Sequence, residues 1–161
     1  MITDSTMQLA TTAHHEAAHA VVSYILTGSA GVVSIVSDGD KLGGNKNQWS
    51  DSTCESDVES EILSLYAGGH AQRRIDPLSN DDGCYGDEEA SAELLERWNW
   101  HHRESDFRQT SLDMVNEHWH KISVVADELL IFKILDDTEA AFIIDGDIES
   151  LTHYRRLIAR V

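Results

Sequence analysis

The sequence predicts a mainly α-helical domain that carries one small β-hairpin. Apolar residues recur every three or four positions along most of the chain, which is typical of helices with one buried face. A β-branched stretch, Val32 to Val36, partly alternates as a strand does, and Asp38-Gly39-Asp40 and Gly43-Gly44 favour a turn and a return strand. With 41% hydrophobic residues, one proline and no internal repeat, residues 1–161 are expected to form a single domain.

The first predicted helix runs from Ser5-Thr6 to Gly28. The hydroxyls of Ser5-Thr6 can cap the first backbone amides of the helix. Ala17, Val21 and Tyr24 recur at helical spacing, and Gly28 can end the helix in a left-handed conformation.

Four further helices are predicted after the hairpin. Ser52 and Glu55 match the capping-box pattern that starts a helix. Apolar spacing in the longest of these helices holds for five turns. In order, the elements are a second helix from Ser52 that Pro77 ends, a polar loop from Ser79 to Gly86, a third helix from Asp87, a fourth and longest helix from Ser111 to Leu129, and a tail helix over 147–161.

The composition argues against several classes of partner. A formal charge of −17 at pH 7 would repel nucleic acid and anionic membrane surfaces. The N-terminus has no signal-peptide pattern, and the longest apolar stretch, Leu129 to Leu135, is too short to span a bilayer. Cys54 and Cys84 are too few for a disulfide framework. We therefore expect a soluble cytoplasmic protein that binds neither nucleic acid nor membranes.

The most informative motif is His15-Glu16-Ala17-Ala18-His19, which reads H-E-x-x-H. Helix positions four apart lie on one face, so both imidazoles can bind one metal ion. Glu16 lies beside that pair, where its carboxylate can take a proton from a water molecule on the metal. The pattern predicts zinc-dependent hydrolysis of peptide bonds.

A catalytic zinc ion normally has three protein ligands, so the motif requires one more from elsewhere. Local spacing does not single out this ligand, because it usually comes from a distant element. The candidates are Asp76, Asp81, Asp82, Asp87, Glu88, Glu89, His70 and Cys84. Asp87 begins a predicted helix, where capping and the helix dipole already explain an aspartate.

Five segments resemble the peptidase domain of FtsH-type zinc metalloproteases. Residues 14–22 are similar to the family's H-E-A-G-H-A-V/L segment, and residues 33–44 to its strand and L-G-Y segment. Residues 65–71, L-Y-A-G-G-H-A, resemble its L-x-x-G-G-R-x-A helix. Residues 83–87, G-C-Y-G-D, stand where the family reads G-A-S-N-D, and Leu129-Leu130 resembles a late L-A-x-x-L-L helix. The likeness extends over nearly the whole chain and is strongest in its first quarter.

In that family the aspartate that closes G-A-S-N-D is the third zinc ligand. The resemblance therefore implies a Zn²⁺ site formed by His15, His19 and Asp87, with Glu16 as the general base. The positions that depart from the family pattern are Ala18 in place of glycine, Gly86 in place of asparagine, and Gln72-Arg73 in place of an acidic pair.

The resemblance further implies a metalloendopeptidase that works without ATP. FtsH proteins carry a membrane anchor and an ATP-driven unfolding module, whereas this chain has no P-loop pattern and no spanning helix before His15. Expected substrates are peptides or unfolded proteins. The resemblance leaves room for a homo-oligomer, since the family's peptidase domains form rings, and for a separate ATPase partner. We also expect the strand at Val32–Val36 to receive extended substrate by edge pairing.

Two alternative functions stay open from the sequence. Glu16-x-x-His19 and Glu117-x-x-His120 are the two E-x-x-H pairs that a di-iron carboxylate bundle uses, although the hairpin has no place in such a bundle. Further ligands for the irons would be Glu59, Glu61, Glu89 and Glu93. A catalytically silent relative that only binds peptides would keep the same fold, and the intact Glu16 argues against it.

Overall fold

The computed structural model describes residues 4–38, 41–46, 54–79 and 84–159. It confirms a mainly helical fold with a small antiparallel sheet. The helices in these ranges are α1 (Asp4–Thr27), α2 (Glu55–Ile75), α3 (Tyr85–Arg97), α4 (Glu104–Glu117), α5 (Trp119–Phe132), α6 (Asp137–Asp145) and α7 (Ile148–Ile158), with a short 3-10 helix at His101–Arg103. Among the described residues, no helix has the length and apolar content that crossing a membrane requires.

The sheet contains the predicted hairpin and one further strand. Its strands are β1 (Val32–Asp38), β2 (Lys41–Lys46) and β3 (Ile134–Leu135), in the spatial order β2-β1-β3. On one side of β1, Val33 lies opposite Asn45, and on the other side it lies opposite Leu135. The prediction that β1 offers a substrate edge is therefore wrong, because β1 is the central strand and its residues Val33 and Ser34 are paired on both sides. The turn residues 39–40 lie outside the described residues.

α1 is the central helix of the fold and is buried on most sides between residues 11 and 23. α2 and α5 pack along it. Small side chains let these helices approach closely, namely Ala13, Ala17, Ala18 and Ala20, which are fully buried. A helix that is apolar nearly all round belongs in a core. His15, Glu16 and His19 are buried because they lie on this helix.

The ends of the first two helices agree only in part with the sequence prediction. α1 ends at Gly28 as predicted, since Gly28 has φ +80° and its N–H donates to the carbonyl of Tyr24 at 2.8 Å. α2 begins at Glu55 and not at Ser52, which lies outside the described residues. Cys54 takes the N-cap position with an extended backbone and no side-chain cap bond. The predicted capping box is therefore not what starts this helix.

The longest predicted helix consists of two helices. α4 and α5 meet at His118, whose φ of −101° and ψ of 17° leave the helical region. The apolar spacing continues through this junction because α4 packs on α2 while α5 packs on α1, so the pattern does not reveal the break.

α6 has no counterpart among the predicted elements. Its local signals are the Asp136–Glu139 capping box at its start and Gly146, with φ +74°, at its end.

Candidate metal centre

α1 directs two imidazole rings to one point. His15 and His19 are 5% and 7% exposed, and their Nε2 atoms lie 2.9 Å apart. The two ring planes are inclined at 80°. This convergence is the geometry that the H-E-x-x-H spacing predicts.

α3 brings Asp87 to the same point. Its Oδ2 lies 3.0 Å from Nε2 of His15 and 3.2 Å from Nε2 of His19. Because α3 begins at Tyr85, Asp87 lies in the first turn and not at the predicted helix start. The three side chains offer ligand atoms that all lie within 4.8 Å of one another, and they are the group placed to hold a metal ion within the described residues.

Gly68 of α2 lets the two rings sit against the backbone of that helix. A Cβ at this position would lie 2.5 Å from Nε2 of His19 and 2.8 Å from Cε1 of His15. Glycine inside a helix is about 1 kcal/mol less favourable than alanine. Gly68 is a site residue that is absent from the sequence-based prediction. The available signal was a glycine pair inside a helical pattern, which indicates close approach of another group.

His19 is oriented by the backbone of α2. Its Nδ1 donates to the carbonyl of Ser64 at 2.7 Å, and Oγ of Ser64 donates back to the carbonyl of His19 at 3.2 Å. A histidine that donates through Nδ1 keeps the Nε2 lone pair for a metal ion. Ser64 has no recognisable sequence signal, because any residue type supplies a carbonyl.

Glu16 is buried without full compensation. It is 5% exposed, and its Oε2 has no hydrogen-bond partner among the described residues. Burial raises the pKa of Glu16 above its ordinary value, and the nearby His19 and His15 oppose that rise. Oε2 of Glu16 can therefore form a hydrogen bond with a group that enters the site.

The carboxylate of Asp87 and the imidazole of His19 shift each other's pKa in opposite directions. Burial alone would lower the pKa of His19, but the carboxylate of Asp87 outweighs it and raises the pKa to about 9. Burial acts to raise the pKa of Asp87, yet His19 and His15 hold it well below its usual range. The carboxylate of Asp87 and the imidazole of His19 thus each favour the charged form of the other.

The donor set fits a zinc ion. Two imidazole nitrogens and one carboxylate oxygen form a known ligand set of catalytic zinc sites. Ligands held at about 2.0–2.1 Å in a tetrahedron lie roughly 3.3 Å from one another. The three atoms here are separated by 2.9, 3.0 and 3.2 Å, so small outward shifts suffice.

The other candidate ligands lie elsewhere. Asp81 and Asp82 are outside the described residues. The remaining positions are Asp76 at the end of α2, Glu88 in an ion pair with Arg108, His70 against the carbonyl of Arg108, Glu89 on an exposed face of α3, and Cys84 behind His15.

The second E-x-x-H pair is not part of this centre. Glu117 ends α4 and His120 lies in the first turn of α5, and both side chains are exposed. Neither belongs to the metal-capable group of the described residues. The positions of these two side chains therefore favour a single-metal site over a di-iron site.

Fold and site together define a mainly helical protein with a candidate His-His-Asp metal centre beside a buried glutamate. No protein-family model matches the chain, and no curated protein matches it. The link to FtsH-type proteases therefore depends on the resemblance of short segments, and the activity that it implies is a proposal.

Proposed function

We propose that this protein is a zinc-dependent metallopeptidase that hydrolyses peptide bonds without ATP. The observation that supports the proposal most directly is the convergence of Nε2 of His15, Nε2 of His19 and Oδ2 of Asp87, with separations of at most 3.2 Å, next to the carboxylate of Glu16. Three ligands plus an adjacent carboxylate are the groups that zinc-dependent hydrolysis with a glutamate base uses.

Zinc suits these ligands better than most other metals that proteins use. Neutral imidazoles favour zinc, copper, iron and nickel over magnesium and calcium, and a site with three protein ligands keeps one position open. When bound there, zinc would lower the pKa of a water molecule to about 7 and polarise a substrate carbonyl.

Glu16 supplies the proton transfer in this proposal. Its carboxylate would accept a proton during attack on the peptide carbonyl and return it to the leaving amine. A catalytic base works best when its pKa lies near the working pH, and burial moves the pKa of Glu16 in that direction. The partnerless Oε2 is the atom that would carry this proton.

Substrate would approach the centre from the side of α3. The side chain of Asp87 is 25% exposed, whereas those of His15 and His19 are 7% and 8% exposed. α1 is covered by α2 and α5, so among the described residues the Asp87 side is the more exposed side of the cluster. Peptides and unfolded segments are the substrates that the family resemblance implies.

The decisive experiment compares zinc content and peptidase activity in matched variants. Glu16→Gln should bind zinc as the wild type does and lose about 10²–10⁴-fold in hydrolysis of an unfolded, fluorescently labelled casein. Glu117→Gln, which changes the exposed glutamate of the other E-x-x-H pair, should keep full activity.

Three results would contradict the proposal. Two irons per chain would instead indicate the carboxylate bundle. One zinc per chain with no hydrolysis by the wild type would indicate a silent binding protein. Equal activity of the wild type and Glu16→Gln would remove Glu16 from the role of base.

A further inference from the structure

Cys84 lies behind His15, on the side of the ring opposite the nitrogen that faces the metal centre. Its thiol is 2% exposed, and Sγ lies 3.9 Å from Nδ1 of His15 and 3.4 Å from Oε1 of Gln72. Gln72 is also buried, at 6% exposed, and belongs to α2. These three side chains link α2, the N-cap of α3 and α1.

The amide of Gln72 sets the direction of these hydrogen bonds. Its Nε2 donates to Oγ of Ser79 at 3.3 Å, which leaves Oε1 to accept the S–H of Cys84. A thiol has one proton, so its sulfur then accepts from the Nδ1–H of His15. His15 is thereby held in the tautomer whose Nε2 lone pair faces Asp87 and His19.

The backbone of α2 leaves room for the thiol as it does for the imidazoles. A Cβ at Gly69 would lie 3.2 Å from Nη2 of Arg73 and 3.3 Å from Sγ of Cys84, and both distances are tighter than ordinary contact. Gly68 therefore leaves space for the two imidazole rings, and Gly69 leaves space for the thiol of Cys84 and the guanidinium of Arg73. The packing of α2 against α3 therefore fixes the position of the thiol.

We propose that Cys84 is a positioning residue that orients His15 for metal binding, and that Gln72 orients the thiol in turn. The inference rests on the proposed function in one respect, because it requires that His15 binds a metal. The carbonyl of Ser64 performs the same task for His19. Partners of this kind typically contribute about 10–100-fold to metal affinity, and a thiol is a weak acceptor, so we expect an effect of roughly tenfold.

The test measures zinc affinity of the full chain by competition with a chromophoric chelator. Cys84→Val keeps an apolar side chain of similar volume without a hydrogen-bonding atom and should weaken binding about tenfold. Cys84→Ser restores a donor and acceptor and should bind within about threefold of the wild type. The matched control is Cys54→Val, because Cys54 is exposed at the N-cap of α2 and should not affect binding.

Cobalt substitution gives a second readout that simple packing would not change. The visible bands of Co²⁺ report ligand geometry, so they should shift in Cys84→Val and stay unchanged in Cys54→Val. If Cys84→Val does not fold, as judged by circular dichroism of the metal-free protein, Gln72→Leu replaces it. Gln72→Leu should also weaken zinc binding several-fold, since it leaves the thiol without its acceptor.

The outcomes separate this proposal from the proposed function. Wild-type protein that binds no zinc overturns both. Wild-type protein that binds zinc while Cys84→Val binds it equally well, with unchanged cobalt bands, overturns only the positioning role. Equal weakening in Cys84→Ser and Cys84→Val would show that packing and not hydrogen bonding matters at this position, and would also overturn it.

Discussion

Gly68→Ala should weaken metal binding strongly while leaving the protein folded. The added Cβ would lie 2.5 Å from Nε2 and 2.7 Å from Cε1 of His19, and 2.8 Å from Cε1 of His15. Ordinary contact begins at 3.4 Å, so the His19 ring must retreat by about 0.9 Å. Metal sites tolerate ligand displacements of about 0.2 Å, and a misplacement of about 1 Å can cost 10²-fold. We therefore expect zinc affinity to fall at least about 100-fold.

The assay is zinc titration against a competing chelator, with urea unfolding of the metal-free protein alongside. Overpacking costs about 1–3 kcal/mol, and alanine in place of a helical glycine returns about 1 kcal/mol, so the fold should survive. Gly86→Ala is the matched control, because Gly86 lies next to Asp87 in α3 and a Cβ there meets nothing within 4 Å. Folded Gly68→Ala that binds zinc with wild-type affinity would refute the reasoning.

Three further results follow from the same geometry. Zinc must displace the proton that Asp87 holds on His19, whose pKa is raised to about 9, so affinity should fall about tenfold for each pH unit below that value. Calorimetry in buffers of different ionisation enthalpy should then detect release of about one proton per zinc from His19 at pH 7, plus up to about half a proton from a bound water with a pKa near 7, and no release would contradict the assignment. Removing the metal with a chelator should leave the far-ultraviolet circular dichroism unchanged, because apolar packing holds α1 in place. Loss of helical signal would show that folding depends on the metal. Asp137→Ala should lower the free energy of unfolding by about 1–3 kcal/mol without affecting zinc affinity, because Oδ1 accepts from the amides of Ala30 and Gly31 far from the site; unchanged urea midpoints would contradict this.

The local part of the site follows from sequence, and the distant part does not. His15 and His19 converge because both lie on one helix, whose geometry is fixed by its spacing. Asp87 is 68 positions from His19, so no local rule connects them. Only the resemblance of residues 83–87 to a family segment singled out Asp87. Its position in the first turn of α3, two residues past the helix start, excludes the N-cap role but agrees with the helix-dipole explanation for this aspartate.

The fold shows the same division between local and distant information. α1 and the β1–β2 hairpin have patterns that extend over many residues, and both agree with the prediction. β3 consists of two residues, which is too short for alternation to be recognised. The sequence does not reveal the break at His118, because the apolar residues of α4 face α2 while those of α5 face α1. The packed chain determines which strands pair and which helices contact each other. The periodicity of the sequence does not reveal either.

The buried carboxylate of Glu16 gives a last test of whether the site is maintained for function at the expense of stability. A raised pKa means that the ionised form of this acid is less favourable in the folded than in the unfolded chain, so Glu16 opposes folding above its ordinary pKa of 4.5. Glu16→Met, which replaces the carboxylate with an unbranched apolar group, should stabilise the metal-free protein by about 1–3 kcal/mol, the usual cost of an unsatisfied buried polar group. Urea unfolding in the presence of a chelator measures this difference, and peptidase activity should be lost at the same time. Destabilisation by Glu16→Met would mean that the carboxylate supports the fold through His19 and His15, and that its burial needs no functional explanation.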